Sequence, residues 1–323
     1  MTTRRALLGA AALTAVAPRA RAQASWPDRP IRYVIGGAAG GVSDIFLRMM
    51  EARLREKLGQ PLVIDPRPGA GGMVGAEVTA RAAPDGYTYY VNHIASHGIG
   101  PSLYRRLSFD PLQDLPGVCR LAALPNVLIV NPATPAHTVQ ELVAFIRANP
   151  ARATFASAGS GTSSHLSGVL FGSRMGVEVT HVPYRGTAPS MAAVMNGEVL
   201  FAIDNAPASR QQVLAGMLRA IGVSTAERAS TMPEIPTLQE QGVPDFDVRS
   251  WYGIAAPSAT PRAIVARLAG EITAALNDPA IARKIRDFGA EPWPLETEAY
   301  NDFMRAEVAK WAPIVRASGV TVD

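Results

Sequence analysis

The chain has little cysteine, few aromatic residues and no surplus of charge that would mark a partner. One of its 323 residues is a cysteine, Cys119, which excludes an intrachain disulfide and a thiolate metal cluster. It lies in the mixed run Gly117-Val118-Cys119-Arg120-Leu121, where a buried, inert thiol is expected rather than a nucleophile. Only five histidines occur. His93 and His97 have i,i+4 spacing, but Val91-Asn92-His93-Ile94 reads as a strand end and no third ligand stands nearby. A satisfied surface or cleft histidine is expected there, and no metal or cofactor. Beyond the N-terminus, no run reaches the ~18 uncharged apolar residues of a membrane helix.

The formal charge of +4 is concentrated at the start of the chain. Arg4 and Arg5 precede an uncharged run over residues 6–17, and Ala20-Arg21-Ala22 reads as a small-residue cleavage site. Residues 1–22 are therefore expected to be an export signal cleaved near Ala22 and leading to the periplasm. The segment fits an ordinary secretory signal and also a loose twin-arginine pattern, and both routes stay open. Losing Arg4, Arg5, Arg19 and Arg21 lowers Lys+Arg from 31 to 27 against 27 Asp+Glu. The remaining chain is formally neutral, so a basic nucleic-acid surface is not expected. Its length exceeds what one core typically serves, about 250–300 residues, and two domains are expected.

Strand and helix signals alternate. Residues 31–35 read as a strand and 44–58 as a helix, with Leu47, Met50, Leu54 and Leu58 on one face and Gly59 as its stop. Strands are expected at 61–64, 87–91, 126–130 and 153–157, with helices at 74–83, 139–148 and 165–175. Beyond residue 260, Ile264, Leu268 and Ile272 recur at helical spacing and are expected to cover a sheet. Such alternation predicts an α/β fold with parallel layers.

Two glycine turns interrupt this pattern at the same point, each between a strand and a helix. The first, Gly36-Gly37-Ala38-Ala39-Gly40-Gly41-Val42-Ser43, has the glycine spacing of a phosphate loop. Val42, however, stands where the phosphate-binding lysine should be. The second, Ala158-Gly159-Ser160-Gly161-Thr162-Ser163-Ser164, leads into His165. Each turn would present backbone N–H groups at a helix N-terminus, a ready site for an anion. One on either side of a cleft would grip a ligand with a carboxylate at each end. A serine hydrolase is the competing reading of Ser163, Ser164 and His165, but no G-x-S-x-G elbow surrounds either serine. Neighbours on one helix also face different directions. Helix capping by the serines and packing by His165 are expected, with no catalytic residue.

Several segments, in order, resemble the receptors of the tripartite tricarboxylate transporters, also called the Bug family. They are Trp26-Pro27-Asp28-Arg29-Pro30, Gly40-Gly41-Val42-Ser43-Asp44, Arg67-Pro68-Gly69-Ala70-Gly71-Gly72 and Pro84-Asp85-Gly86-Tyr87-Thr88. Then follow Ser157-Ala158-Gly159-Ser160-Gly161-Thr162 with His165-Leu166, His181-Val182-Pro183-Tyr184-Arg185-Gly186, Pro233-Glu234-Ile235-Pro236-Thr237 and Trp251-Tyr252-Gly253. The resemblance implies a two-lobed periplasmic binding protein of the Venus-flytrap type (type II), each lobe a mostly parallel sheet flanked by helices. Lobe 1 would comprise residues 25–124 and 246–323, and lobe 2 residues 125–245.

The resemblance further implies a monomeric receptor that takes a small carboxylate and delivers it to membrane permease subunits. An exported enzyme acting on small carboxylates and a receptor feeding a signalling partner are the alternatives. Family receptors hold carboxylates through backbone amides and waters, which carries over to Ala38, Ala39, Gly40 and Gly41 with Ser43. In the second lobe it carries over to Ser157, Gly159, Ser160, Gly161, Thr162 and Ser163, then to Tyr184, Arg185 and Gly186, and to Asp204. Arg185 either offers its guanidinium or points outward while its backbone faces the ligand, and Tyr184 either walls the cleft or packs between elements. The chain departs from the family in lacking a proline near Gly37 or Ala38 and in carrying Pro66 where asparagine is frequent. Both departures weaken any transfer of ligand identity.

Overall fold

The computed structural model describes residues 26–322, and the signal-like segment lies outside the described residues. The chain begins β1 (Ile31–Ile35), α1 (Val42–Leu58), β2 (Leu62–Pro66), α2 (Met73–Ala80), β3 (Thr88–His93) and the short α3 (Gly100–Leu103). The strand β4 (Gly117–Val130) then leads to α4 (Val139–Ala148), β5 (Thr154–Ser157), α5 (Ser163–Met175), β6 (Thr180–Pro183) and α6 (Thr187–Met195). Next come β7 (Phe201–Asn205), α7 (Ala206–Leu214), β8 (Arg219–Val223), β9 (Arg249–Ala255) and α8 (Arg262–Leu276). α9 (Pro279–Phe288), β10 (Glu291–Leu295) and α10 (Thr297–Ser318) end the chain.

Local sequence explains these elements. α1 buries Phe46, Leu47, Met50, Leu54 and Leu58 along one stripe. It stops at Gly59, whose φ of 73° lets its N–H bond Arg55 O at 2.9 Å. α4 starts on a capping box in which the Thr138 hydroxyl accepts from Glu141 N. α8 buries Leu268 and Ile272 in the core of the first sheet.

The strand order is β2-β1-β3-β9-β4-β7-β5-β6, with β8 and β10 also on β4. β1 pairs in parallel with β2 and β3, and β5 in parallel with β6 and β7. Every pair involving β4 or β9 is antiparallel. The sheets are therefore mixed, where the strand–helix alternation predicts parallel ones. A helix-connected strand returns in parallel, but β4 and β9 carry the chain between the two halves and enter against the grain. β4 is also longer than the strand expected at 126–130, and all 14 of its residues are buried. Residues 117–125 pair with β9, whereas residues 126–130 pair with β7 and β8. Cys119 is fully buried on this strand, where burial pushes its thiol pKa up, as expected of an inert thiol.

Gly168 sets how closely α5 lies on β5, because a Cβ there would overlap the Phe155 ring. A helix-interior Gly→Ala change ordinarily gains up to about 1 kcal/mol. Here overpacking outweighs that gain, and Gly168→Ala is expected to lower unfolding free energy by about 1–3 kcal/mol. Urea denaturation followed by circular dichroism reads the sign.

Candidate functional site

The ends of the parallel strands open onto a cleft of about 1040 Å³. One wall is the first glycine turn, from Gly36, Gly37 and Ala38 to Gly41, Val42 and Ser43, beside Pro68, Gly69, Ala70, Gly71 and Gly72. The other carries Ala158, Thr162, Ser163, Ser164, Arg185, Gly186, Asp204 and Asn205. His93, Ile94, Ala95, Ser250 and Tyr252 close the base.

Five helices begin at this cleft. Their N-cap residues, Gly41 for α1, Gly72 for α2, Thr162 for α5, Gly186 for α6 and Asn205 for α7, all line it. Only Thr162 caps through its side chain, accepting from His165 N; the other four helix starts have no side-chain cap. In α1 and α5 the first-turn amides of Val42, Ser43, Ser163 and Ser164 have no backbone acceptor among the described residues. Uncapped helix starts carry partial positive charge, about half an elementary charge each. Among the charged side chains of the described residues, only Arg185 and Asp204 line the same space. The field inside is therefore set largely by backbone.

Ala38, Gly41, Ser43, Thr162, Ser163, Arg185, Gly186 and Asp204 of the expected set line the cleft. Ala39, Gly40, Ser157, Gly159, Ser160, Gly161 and Tyr184 lie behind or beside it, and hydrogen bonding explains several of these. Gly40 N donates to Asp44 Oδ2 at 2.7 Å, and Gly41 N to Ala38 O at 3.1 Å. Gly159 N donates to Ser157 Oγ and Gly161 N to His165 Nδ1, both at 3.1 Å. The glycine amides thus shape the turns, while the helix starts that follow offer free donors. Gly161 also lies buried against Leu103, where a Cβ would overlap Leu103 Cδ2. Tyr184 packs on the apolar cluster around Met191 and Val194.

Two histidines support the second turn. The His165 and His181 rings stack with centroids 3.8 Å apart, and His181 Nε2 is 2.6 Å from Ser157 Oγ. Burial lowers both pKa values to about 4, so both rings are neutral near pH 7. His165 accepts from Gly161 N on Nδ1, which leaves its proton on Nε2. The serines do less capping than expected: Thr162 takes that role, while Ser164 Oγ accepts from Ala158 N at 3.0 Å. His97 is wholly buried rather than at a surface, with Nδ1 3.0 Å from Ser96 Oγ and Nε2 3.2 Å from Leu115 O.

His93 lies at the cleft, one of the two places expected for it, whereas the segment at residues 68–72, with Asn205, Ser250 and Tyr252, is the part of the wall that sequence reasoning missed. Its signal was its glycines. A Cβ on Gly36 would sit 2.6 Å from Gly72 Cα and 2.5 Å from Tyr90 Oη, so the two glycine segments touch backbone to backbone. Tyr90 Oη also donates to Gly72 O at 2.8 Å.

This arrangement defines a solute-binding receptor of the periplasmic-binding-protein fold, an α/β architecture with mixed sheets flanked by helices. The chain belongs to the tripartite tricarboxylate transporter receptor family, whose profile matches residues 46–320. Members of this family are transport receptors, not enzymes. Among solved structures, Rpa4515 of R. palustris with adipate shares 34% identity and a TM-score of 0.84, covering 92% of this chain and 99% of that one. The periplasmic binding protein BugD shares 31% identity and a TM-score of 0.80, covering 92% and 99%. MatC of Rhodopseudomonas palustris with bound malate shares 30% identity and a TM-score of 0.78, covering 90% and 100%.

Asp204 sets a stability test. Burial raises its pKa from 3.8 to about 6, against smaller lowering by bonds from Asn205 N and Thr187. A raised carboxyl pKa means that the folded state holds the proton more tightly, so stability falls as pH rises from about 4 to about 6. Asp204→Asn removes that dependence. Relative to the parent, the variant is expected to gain about 2–3 kcal/mol between pH 4 and pH 7. Comparing the two proteins cancels the histidines, and thermal melts across that range check the result.

Proposed function

We propose that the protein captures a small dicarboxylate in this cleft and presents it to the membrane subunits of a tripartite transporter. The observation that carries the reading is the convergence of five helix N-termini, four without a side-chain cap, on one cleft. Such N-termini favour negative charge and offer unpaired N–H donors. Adipate in Rpa4515 and malate in MatC support the ligand class. The ligand shell comprises Ala38, Gly41, Ser43, Thr162, Ser163, Arg185, Gly186 and Asp204. Around it, Ala39, Gly40, Ser157, Gly159, Ser160, Gly161 and Tyr184 hold the turns in shape.

The lobes divide at the expected boundaries, residues 25–124 with 246–323 against 125–245. The support is the switch of β4 pairing from β9 to β7 and β8 after Pro125. Closure is a hinge motion about the crossover segments. The receptor works as a monomer in the periplasm after removal of residues 1–22. The charge pattern of that segment and the periplasmic relative BugD support this address.

A thermal-shift screen of residues 23–323 with adipate, malate, citrate and the uncharged adipamide tests the reading. A bound ligand at a hundredfold excess over Kd stabilises by about 2.7 kcal/mol. At least one carboxylate is expected to do so at one per chain, and adipamide is not. Arg185→Gln is expected to weaken binding less than tenfold, since the Arg185 side chain is exposed and exposed ion pairs contribute only about 0–1 kcal/mol. Calorimetric titration measures it. A hundredfold loss would make the guanidinium, not the amides, the anchor.

A further inference from the structure

Asp204 is the penultimate residue of β7, lines the cleft wall and is 2% exposed. Its Oδ1 accepts from Asn205 N at 2.7 Å and from Thr187 Oγ1 at 3.3 Å. Its Oδ2 is buried with no hydrogen-bond partner. The elements packed against β7 offer no counter-charge. β5, α6 and residues 126–130 of β4 carry no ionisable side chain. On α5, His165 is neutral and bonded into the glycine turn, and Arg174 pairs with Asp245. On β6, His181 lies beside Ser157; on α7, Arg210 donates to Thr231 O at 3.3 Å. Tyr252, His93 and Arg185 share the cleft with Asp204, and none of them forms a hydrogen bond or ion pair with it.

A dry carboxylate oxygen without a donor is costly, whereas a carboxyl O–H in the same place is a hydrogen-bond donor seeking an acceptor. We propose that Asp204 engages the ligand in its protonated form, donating from Oδ2 to a ligand carboxylate, so that capture of the dicarboxylate takes up a proton. This deepens the carboxylate-receptor reading and rests on it. The proton comes from bulk water as the ligand enters and returns as it leaves, and only the Oδ2–H bond is made or broken. Oδ1 already accepts two bonds, which directs the proton to Oδ2. The arriving carboxylate raises the proton affinity of Asp204 further, because two like charges at one site cannot both stay ionised. The resulting O–H···O⁻ bond belongs to the strong, charge-assisted kind. The folded-state pKa of about 6 places the apo side chain within reach of protonation near neutral pH.

Calorimetric titration of residues 23–323 with adipate and with malate, in two buffers of different ionisation enthalpy, counts the protons taken up. Net uptake between zero and one per ligand is expected at pH 7. Affinity is expected to fall with rising pH, approaching about tenfold per unit above the apo pKa. Asp204→Asn keeps a donor at the same place. Its binding is expected to be weaker by less than a hundredfold at pH 6, with proton uptake and pH slope both lost. Infrared difference spectra of the parent with ¹³C-labelled ligand give a variant-free reading: a protein carboxyl C=O band should grow on binding. Binding without proton uptake, or an unchanged slope in Asp204→Asn, overturns the inference and leaves the receptor standing. Tighter binding at high pH with a hundredfold loss in Asp204→Asn overturns it too, because Asp204 would then accept from a ligand donor. If neither adipate nor malate binds at any pH, the dicarboxylate reading fails and takes this inference with it.

Discussion

Helix starts without caps need acceptors, and here several of them turn toward one space. A first-turn N–H that finds neither water nor a partner leaves an unpaired dipole, at a cost of about 1–3 kcal/mol when buried. The fold places these donors together because of strand direction. β1, β5, β6 and β7 deliver the chain to the same cleft, and each is followed by a turn or a helix start. Ligands in open α/β sheets sit beyond the carboxyl ends of the strands for this reason. A carboxylate supplies two acceptor atoms and a negative charge, which matches amides and helix dipoles at once. Few side chains are then needed, and the cleft contains few that are charged.

Backbone donors are useful only if held in direction, and much of the chain around the cleft does that. The contact between Gly36 and Gly72 leaves no room for a side chain, so the first turn and the segment at residues 68–72 rest on each other under the Tyr90 hydroxyl. On the other wall, the stacked His165 and His181 tie Gly161 and Ser157 into the turn. A charged imidazole would lose its acceptor nitrogen and break the bond from Gly161 N. The burial that keeps His165 neutral is therefore also what keeps the turn in shape.

How much of this could be read in advance depended on whether a feature was local. The helix at 139–148 has its capping box, apolar stripe and asparagine stop within a few residues, and it forms over those residues. The two strand–glycine–helix units were legible for the same reason. β4 was not, because Arg120 and Pro125 interrupt its apolar run; Arg120 is tolerated there because its guanidinium stacks on Trp293 and Nε donates to Trp293 O at 2.7 Å. Nor were the roles of individual amides. Whether Gly161 offers its N–H to a ligand or to His165 is decided by a side chain four residues on, and spacing alone does not rank the two. Tyr252 and Ser250 reach the cleft only because β9 returns from far along the chain to pair with β3 and β4.

The crossover strands also tie the two walls of the cleft together. At the point where β4 changes partners, Asn126 N bonds Ser224 Oγ at 2.9 Å, and Ser250 Oγ bonds Asn126 Oδ1 at 3.2 Å. Ser250 in turn lies 2.9 Å from Ser163 Oγ at the start of α5. A polar line therefore runs from the cleft wall to the crossover. Above it, Leu103 of α3 packs onto Gly161 in the second turn. Leu103, 3% exposed, and the Ser163–Ser250 contact thus join the two walls. Burying a leucine fully contributes about 1.5–3 kcal/mol, so this apolar contact helps hold the two walls together whatever the charge of the ligand.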